Sequence, residues 1–587
     1  MAALSNRGDT VSTHGRSHRL LLRLLAIFLG VGLLASGCSS DDGDDGSEGP
    51  EQPGNANVDE EGLEPQPGGE IVFGLEALTE GGWCLPEAQL AASGIQVAGA
   101  LYDGLTRFND QLEPVPYLAE SFEPNETYDV WTVKLRPDIK FHNGEPLNAE
   151  AVAMNLNAFR GTETFDLLPT LFPFVLEDIS DVSVVDDLTL TITTSRPWVA
   201  LPSYFATGRF GISAPEQLQG DRGTCANTPI GTGPFKAVGT PWNLTGEVSV
   251  EKNDDYWRTD EAGNPLPYLD RITFRAQPDT TRRVENLTAT SGGFDMTHTD
   301  SALDIEEMQA LAEEGEIRLV VEDNDFAEVS YVMINSGPES DSPFADIRMR
   351  QAIAMAVDRS AVNDLINDGF NTITDSPFGP GVLGYVEDTG FPAYDPEAAQ
   401  ELIDEVVADN GGEPITIDML HTPTPVTRDL AEEIITQLSA YEGIEINAGD
   451  PNQYEHLQSA LINKALAGDF DLMLWRNHPG ADPDTQYVWW HSTSPVNFGK
   501  ITDEEVDRLL DEGRSAPPEE RQQIYEDLNK RLGEQVYNIW SWYSVWTVGA
   551  KNRVHGLTTQ TLPNGDAVLP VYVGVSPLWG IWVDDAE

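Results

Sequence analysis

From Gly69 to its end the chain alternates strand-like and helix-like patterns, with no repeat of fixed period and no second long linker. It starts and finishes in strand-rich segments and is more helical between them. About 520 residues exceed what one hydrophobic core holds, so they divide into two or three lobes. Strands at both ends imply lobes that the chain enters more than once.

Local patterns mark the elements. EIVFGL (70–75) reads as a first strand, and WTVKL (131–135) alternates apolar and polar as a half-buried strand does. The next segment, KFHNGEPL, contains Asn143-Gly144, which supplies the positive φ of a tight turn; His142 sits in that turn and is expected to be structural. Asn148 is placed to cap the helix AEAVAMNLNAFR. LTLTIT (188–193) is β-branched and alternating, again a strand. DIRMRQAIAMAVDR (346–359) has helical spacing. Thr502-Asp503-Glu504-Glu505 forms a capping box opening VDRLLDEG. Pro517 or Pro518 starts the following helix, with Ile524, Leu528 and Leu532 as its buried stripe. The tail returns to strands at IWSWYSVWTVGA (539–550) and VYVGV (571–575).

The N-terminus carries an address. A basic run with Arg7, Arg16, Arg19 and Arg23 precedes LLAIFLGVGLLA (24–35), too short to span a bilayer, which takes roughly 20 apolar residues. This is a secretory signal over residues 1–37. It ends in LASGC (34–38), which resembles a bacterial lipobox with Cys38 as the lipidated residue; ordinary cleavage beside an incidental cysteine is the plainer alternative. Residues 38–68 are rich in Asp, Glu, Gly and Pro, and are expected to be a disordered acidic tether. A bacterial lipid anchor and tether would hold the protein at the outer face of the cytoplasmic membrane.

With 98 acidic against 34 basic residues the formal net charge is −64, which excludes a basic nucleic-acid-binding face. Of three cysteines, Cys84 and Cys225 remain once Cys38 is set aside. Outside the cytoplasm such a pair is expected to form a disulfide, stabilising by about 4–5 kcal/mol in the chain-entropy model; two buried thiols are the alternative. No zinc spacing exists among three cysteines so placed. There is no G-x-S-x-G, no H-E-x-x-H and no phosphate-binding glycine loop. SVEK (249–252) spells S-x-x-K but reads as a strand. No cofactor or metal is implied, and nothing nominates an enzyme.

Several segments in one order carry a resemblance. They include LYDGLTRFN (101–109), WTVKLRPDIKFHNGEPLNAEAV (131–152), PIGTGPFK (229–236), NDDYWR (253–258), FADIRMRQAIAMAVDR (344–359), GDFDLML (468–474) and DPDTQY (482–487). Over nearly the whole mature length the chain resembles the extracellular solute-binding proteins of the peptide/nickel type, family 5, receptors of ATP-binding-cassette importers. The resemblance implies an α/β, two-lobed periplasmic-binding-protein-like II fold with an extra subdomain in lobe I. Lobe I would hold 69–107, 206–325 and 546–587, the subdomain 108–205, and lobe II 326–545. A Cys84–Cys225 bond would then lie within lobe I. It also implies a monomeric receptor that captures a solute between its lobes and delivers it to permease subunits.

The stretch WRNHPGADPDTQYVWWHS (475–492) bears on the ligand. By the resemblance, peptide binders carry an Asp three residues after the lobe II tryptophan, pairing with the peptide amine. Here Trp475 is followed at that place by His478; the family's Asp-Pro pair, Asp482-Pro483, arrives one residue later than in the peptide binders, and Asp482 could shift to take the amine. Arg476 could clamp a carboxylate, and Asn477 lies beside it. Trp475, Trp489 and Trp490 could stack on sugar rings or apolar side chains; on a strand, Trp489 and Trp490 would face opposite sides, so only one would meet the cleft. Trp83 is a further pocket candidate. An oligopeptide or related amino-acid-derived compound is the first reading, an oligosaccharide the alternative, and a surface hydrolase the remaining class.

Overall fold

A computed structural model describes residues 54–584 except 61, 78–81, 89, 163–166, 168, 170, 240–241, 243–246, 323–327, 448–453, 457 and 479. The expected signal segment, Cys38 and the first part of the tether lie outside the described residues.

Three sheets organise the chain. The largest runs in the order Ile317–Val321, Thr547–Lys551, Met296–Thr299, Glu70–Leu75, Arg271–Ala276, Glu247–Lys252, Phe235–Ala237. Its centre, Glu70–Leu75, pairs in parallel with both neighbours, Phe73 lying opposite Phe274 and Met296. Phe73, Phe274 and Met296 are fully buried, as a strand covered on both faces requires. The second sheet has the order Ile444–Asn447, Ile415–Leu420, Leu472–Asn477, Glu328–Ile334, Asn538–Ser544. The third is an antiparallel four-stranded sheet, Ala119–Pro124, Val130–Leu135, Thr189–Thr194, Ile179–Asp186.

The first two sheets are the cores of two lobes, and the chain crosses between them twice. It leaves the first at Val321 and enters the second at Glu328; it returns between Ser544 and Thr547. The tail segment IWSWYSVWTVGA is therefore two strands in two lobes, with Val545 and Trp546 as the link. Both linking residues are buried. Crossings of this kind permit hinge motion about a few residues.

Where local chemistry decides, elements fall as the sequence implies. Asn148 caps its helix by accepting from the Ala151 N–H at 2.9 Å. Cys84 and Cys225 are disulfide-bonded across 141 residues of sequence. Other expectations need correction. The cap at 502–505 is Asp503, not Thr502, accepting from the Glu505 and Val506 N–H groups. The helix over 346–359 is two, Ile347–Ala356 and Arg359–Asn367, because Asp358 caps a new start. VYVGV is a tight turn closed by Tyr572 and Val575 rather than a strand. Residues 54–60, assigned to the tether, are docked. Ala56 exchanges hydrogen bonds with Leu319 on the edge strand of the first sheet, and Glu60 accepts from Arg318 and the Gly556 N–H. An edge strand offers an unpaired row of backbone groups on which a segment can dock, and Ala56 and Val58 also pack against the apolar core there.

Among the described residues no helix is long and apolar enough to cross a membrane.

Candidate functional site

The stretch 475–492 leaves the second sheet through the strand Leu472–Asn477 and turns towards the first lobe. Its residues divide into those used by the fold and those left facing the junction.

Asp482 belongs to the first group. Both of its oxygens accept from Arg521, at 2.5 and 2.6 Å, and Asp482 also caps the turn Pro483–Gln486. Its carboxylate is committed, which corrects the expectation that it shifts to meet a ligand amine. Asn477 is also committed, donating to Gln486 Oε1 at 2.6 Å and accepting from the His478 N–H. Trp489 and Trp490 lie not on a strand but on the one-turn helix Tyr487–Trp490. Trp490 is buried against Trp540 and Phe378. Trp475 and Trp489 are half-buried and both meet the edge of Phe498, at 5.7 and 5.3 Å between ring centres. Trp83 is fully buried against Trp242, so it is a core residue and not an open pocket wall. His142 is structural: it accepts from the Gly231 N–H and bonds the Gly233 carbonyl, and burial lowers its pKa to about 4.

Arg476 spans the junction. Its guanidinium pairs with Asp300, which follows the first-sheet strand Met296–Thr299, and lies 3.4 Å from Glu328 at the crossing. Glu328 also accepts from Trp546 Nε1 at 3.2 Å. Burial, with the neighbouring charges of Glu76 and Glu322, raises the Glu328 carboxyl to about 8, while Arg209 works the other way. Glu322 accepts from the Val573 N–H at 2.5 Å. The crossing is thus lined by carboxylates crowded enough to hold a proton.

His478 turns the other way. Its Nδ1 accepts from the Gly480 N–H at 3.0 Å, and its ring meets Tyr572 edge-on at 4.8 Å. Burial lowers its pKa to about 3, and the charge of Arg209 pushes in the same direction. His478 is therefore neutral at any physiological pH.

A second inter-lobe cluster was not foreseen. Asp484, fully buried, accepts from Trp198 Nε1 at 2.6 Å, from Tyr204 Oη at 3.1 Å and from Arg514 Nε at 2.8 Å. Arg514 also donates to Asp178 at 2.9 Å and stacks over Tyr487 at 3.8 Å and Trp198 at 4.5 Å. Burial works against the Asp178 charge, but hydrogen bonds from Ser195 and Arg196, with the Arg514 charge, hold its carboxyl below the ordinary range. Asp178, Trp198 and Tyr204 come from the third sheet and its exit; Asp484 and Arg514 come from beyond the second sheet. The partners lie some 280 to 336 residues apart, so no local pattern announces them.

Among the described residues no group of three or more His, Cys, Asp or Glu side chains could hold a metal ion.

Comparison with known proteins matches this architecture. The family model described as bacterial extracellular solute-binding proteins, family 5 (middle region), matches residues 113–499. The glutathione-binding protein GsiB of Pectobacterium atrosepticum is 30% identical over 316 residues, covering 54% of this chain and 57% of that protein. The match thus spans little more than half of that relative's length. Among solved structures, the oligopeptide-binding protein AppA of Bacillus subtilis, in complex with a nonapeptide, aligns with a TM-score of 0.72 and 21% identity, covering 89% of this chain and 100% of that one. The periplasmic binding protein AgaA with agropinic acid, from A. tumefaciens R10, aligns with a TM-score of 0.73 and 24% identity, covering 88% and 99%. These likenesses establish the two-lobed periplasmic-binding-protein fold.

Proposed function

We propose that this chain, which belongs to the bacterial extracellular solute-binding proteins of family 5, is the capture subunit of an ATP-binding-cassette importer. The family is one of binding proteins, so the site is read for affinity and not for turnover. A solute enters between open lobes, touches both, and stabilises the closed arrangement by its differential affinity for it. The closed receptor docks on permease subunits, and ATP hydrolysis elsewhere drives release.

The favoured solute is an oligopeptide or a related amino-acid-derived compound. One observation supports this choice: the junction holds a crowd of carboxylates and a guanidinium, that of Arg209, near enough to feel Glu328 yet bonded to no described residue. A ligand bearing both an amine and a carboxylate matches such a gap. Of the 475–492 stretch, His478 is left to meet it, with Trp475 and Trp489 half-buried against Phe498 and Arg476 paired with Asp300. A neutral oligosaccharide has less support, because Phe498 already packs against the tryptophans that would stack on it. Lobe I is taken as 69–107, 206–325 and 546–587, its subdomain as 108–205 and lobe II as 326–545. Lipid on Cys38 and the acidic stretch behind it would hold a monomeric receptor at the outer face of the cytoplasmic membrane, raising its effective concentration near the permease.

Calorimetric titration tests the reading. The probes are glutathione, the compound named for GsiB, and peptide mixtures before and after N-acetylation. Saturable binding of glutathione or of the free-amine mixture, weakened by acetylation, is expected. Absence of binding to all three would sink the peptide reading.

A further inference from the structure

Arg209 lies in the turn between the helices Leu201–Ala206 and Pro215–Gln219. Gly208 before it has φ +78, and a side chain there would stand 2.8 Å from Ile95 Cγ2, so glycine suits the turn that carries Arg209. Arg209 is partly buried, and the low dielectric around it disfavours its charge, with only Tyr572 and Glu328 working to restore it. Among the described residues its guanidinium makes no hydrogen bond and no ion pair. Half-buried and bonded to no described residue, the guanidinium is open to a partner from outside the chain.

Two neighbours share that condition. With Nδ1 accepting from Gly480, the single proton of neutral His478 sits on Nε2; that atom is buried and unpartnered. Tyr572 Oη is likewise buried and unpartnered. Its ring is held against Phe108 at 5.2 Å and against His478, and its backbone is closed onto Val575. A cavity of about 60 Å³ opens beside Tyr572, lined also by Arg107, Phe108, Phe205 and by Gly208, the neighbour of Arg209.

All three groups are donors, contributed by three separate parts of the chain, and what they lack in common is an acceptor. We infer that Arg209, His478 and Tyr572 form the seat of a ligand carboxylate at the lobe junction. A carboxylate has two oxygens with about four acceptor sites, enough for one guanidinium edge and two further donors. The seat leaves the carboxyl-rich crossing at Glu328 for the ligand's cation, so this inference deepens the amino-acid-derived reading and rests on it.

Two experiments separate the seat from that reading. The first titrates wild type and Arg209→Met with a tripeptide pool and with the same pool carrying C-terminal amides. Amidation is expected to weaken wild-type binding about 10- to 100-fold. Arg209→Met should lose a similar factor for the free acids and cease to distinguish the pools. The second uses malonate-grown crystals, expected to hold a carboxylate on Arg209, His478 Nε2 and Tyr572 Oη in wild type and none in the variant. Equal affinity of both proteins for the free acids, or malonate that leaves Arg209 untouched, overturns the seat. If wild type binds neither pool, the peptide reading fails and the malonate result alone decides the seat.

Discussion

Two charged clusters sit where the lobes meet, and they are built on opposite terms. Around Arg514 and Asp484 the described donors and acceptors are met: both Asp484 oxygens accept, and the guanidinium donates to Asp484, Asp178 and Tyr204 between two aromatic faces. Near Arg209, which bonds no described residue, His478 Nε2 and Tyr572 Oη are buried without a described partner. Burial differs in degree, since Arg514 and Asp484 are fully buried while Arg209 and His478 are half-buried. Satisfaction differs in kind. A complete buried network holds structure and leaves no valence for a ligand, whereas an incomplete one is stable only if something else completes it. The same contrast sorts the 475–492 stretch, where Asp482 is closed off by Arg521 and His478 is left open.

The contrast is broken first at its satisfied side. Arg514→Met leaves Asp484 and Asp178 buried without their cation and should cost about 3–5 kcal/mol of stability, read as a lower urea midpoint with or without ligand. The next largest effect should appear only at the open side. Arg209→Met should lose about 10- to 100-fold in affinity for a carboxylate ligand, while its urea midpoint in the empty state stays level or rises. A stability loss matching that of Arg514→Met would erase the distinction.

Glu328 sharpens the comparison through pH. Its carboxyl sits at about 8 in the folded protein against an ordinary 4.5. Between those values the folded state keeps a proton that the unfolded state has released, so stability falls as pH rises through the window. Glu328→Gln, facing Glu76, Glu322, Arg209 and Arg476, should therefore match wild type at pH 4 and exceed it by about 1–3 kcal/mol at pH 8, measured by chemical denaturation. The smallest effect belongs to Arg476, which is half-exposed. Arg476→Gln should cost about 0.5–1 kcal/mol, visible as a slight shift of the empty protein towards the open form in small-angle scattering.

Much of the scaffold was legible because it rests on short-range chemistry. The apolar run of EIVFGL, the alternation in WTVKL, the Asn148 cap and the leftover cysteine pair each act within a few residues or by counting. The errors came where two local solutions compete. Thr502 and Asp503 are both good caps, and a run of apolar residues through 346–359 hides the restart at Asp358. Trp489-Trp490 has the side chains of a strand but lies in one helical turn that continues directly from the turn Pro483–Gln486, which Asp482 caps. The site was legible only in part. His478 and Arg476 stood out as departures from the family pattern. Arg209 did not, because an arginine in TGRFG looks like any other until every possible partner is known to be elsewhere. The one local hint was Gly208, a residue that permits a turn no other side chain would fit.

The central claim is that this receptor closes on a ligand whose carboxylate completes the Arg209 cluster. The most direct measurement is mass spectrometry of small molecules released on denaturing wild-type and Arg209→Met protein purified side by side from the same medium. The account predicts a carboxylate-bearing, amine-bearing compound released from wild type and strongly depleted in the variant. Cargo without an acidic group, or the same cargo retained by the variant at equal stoichiometry, would contradict it.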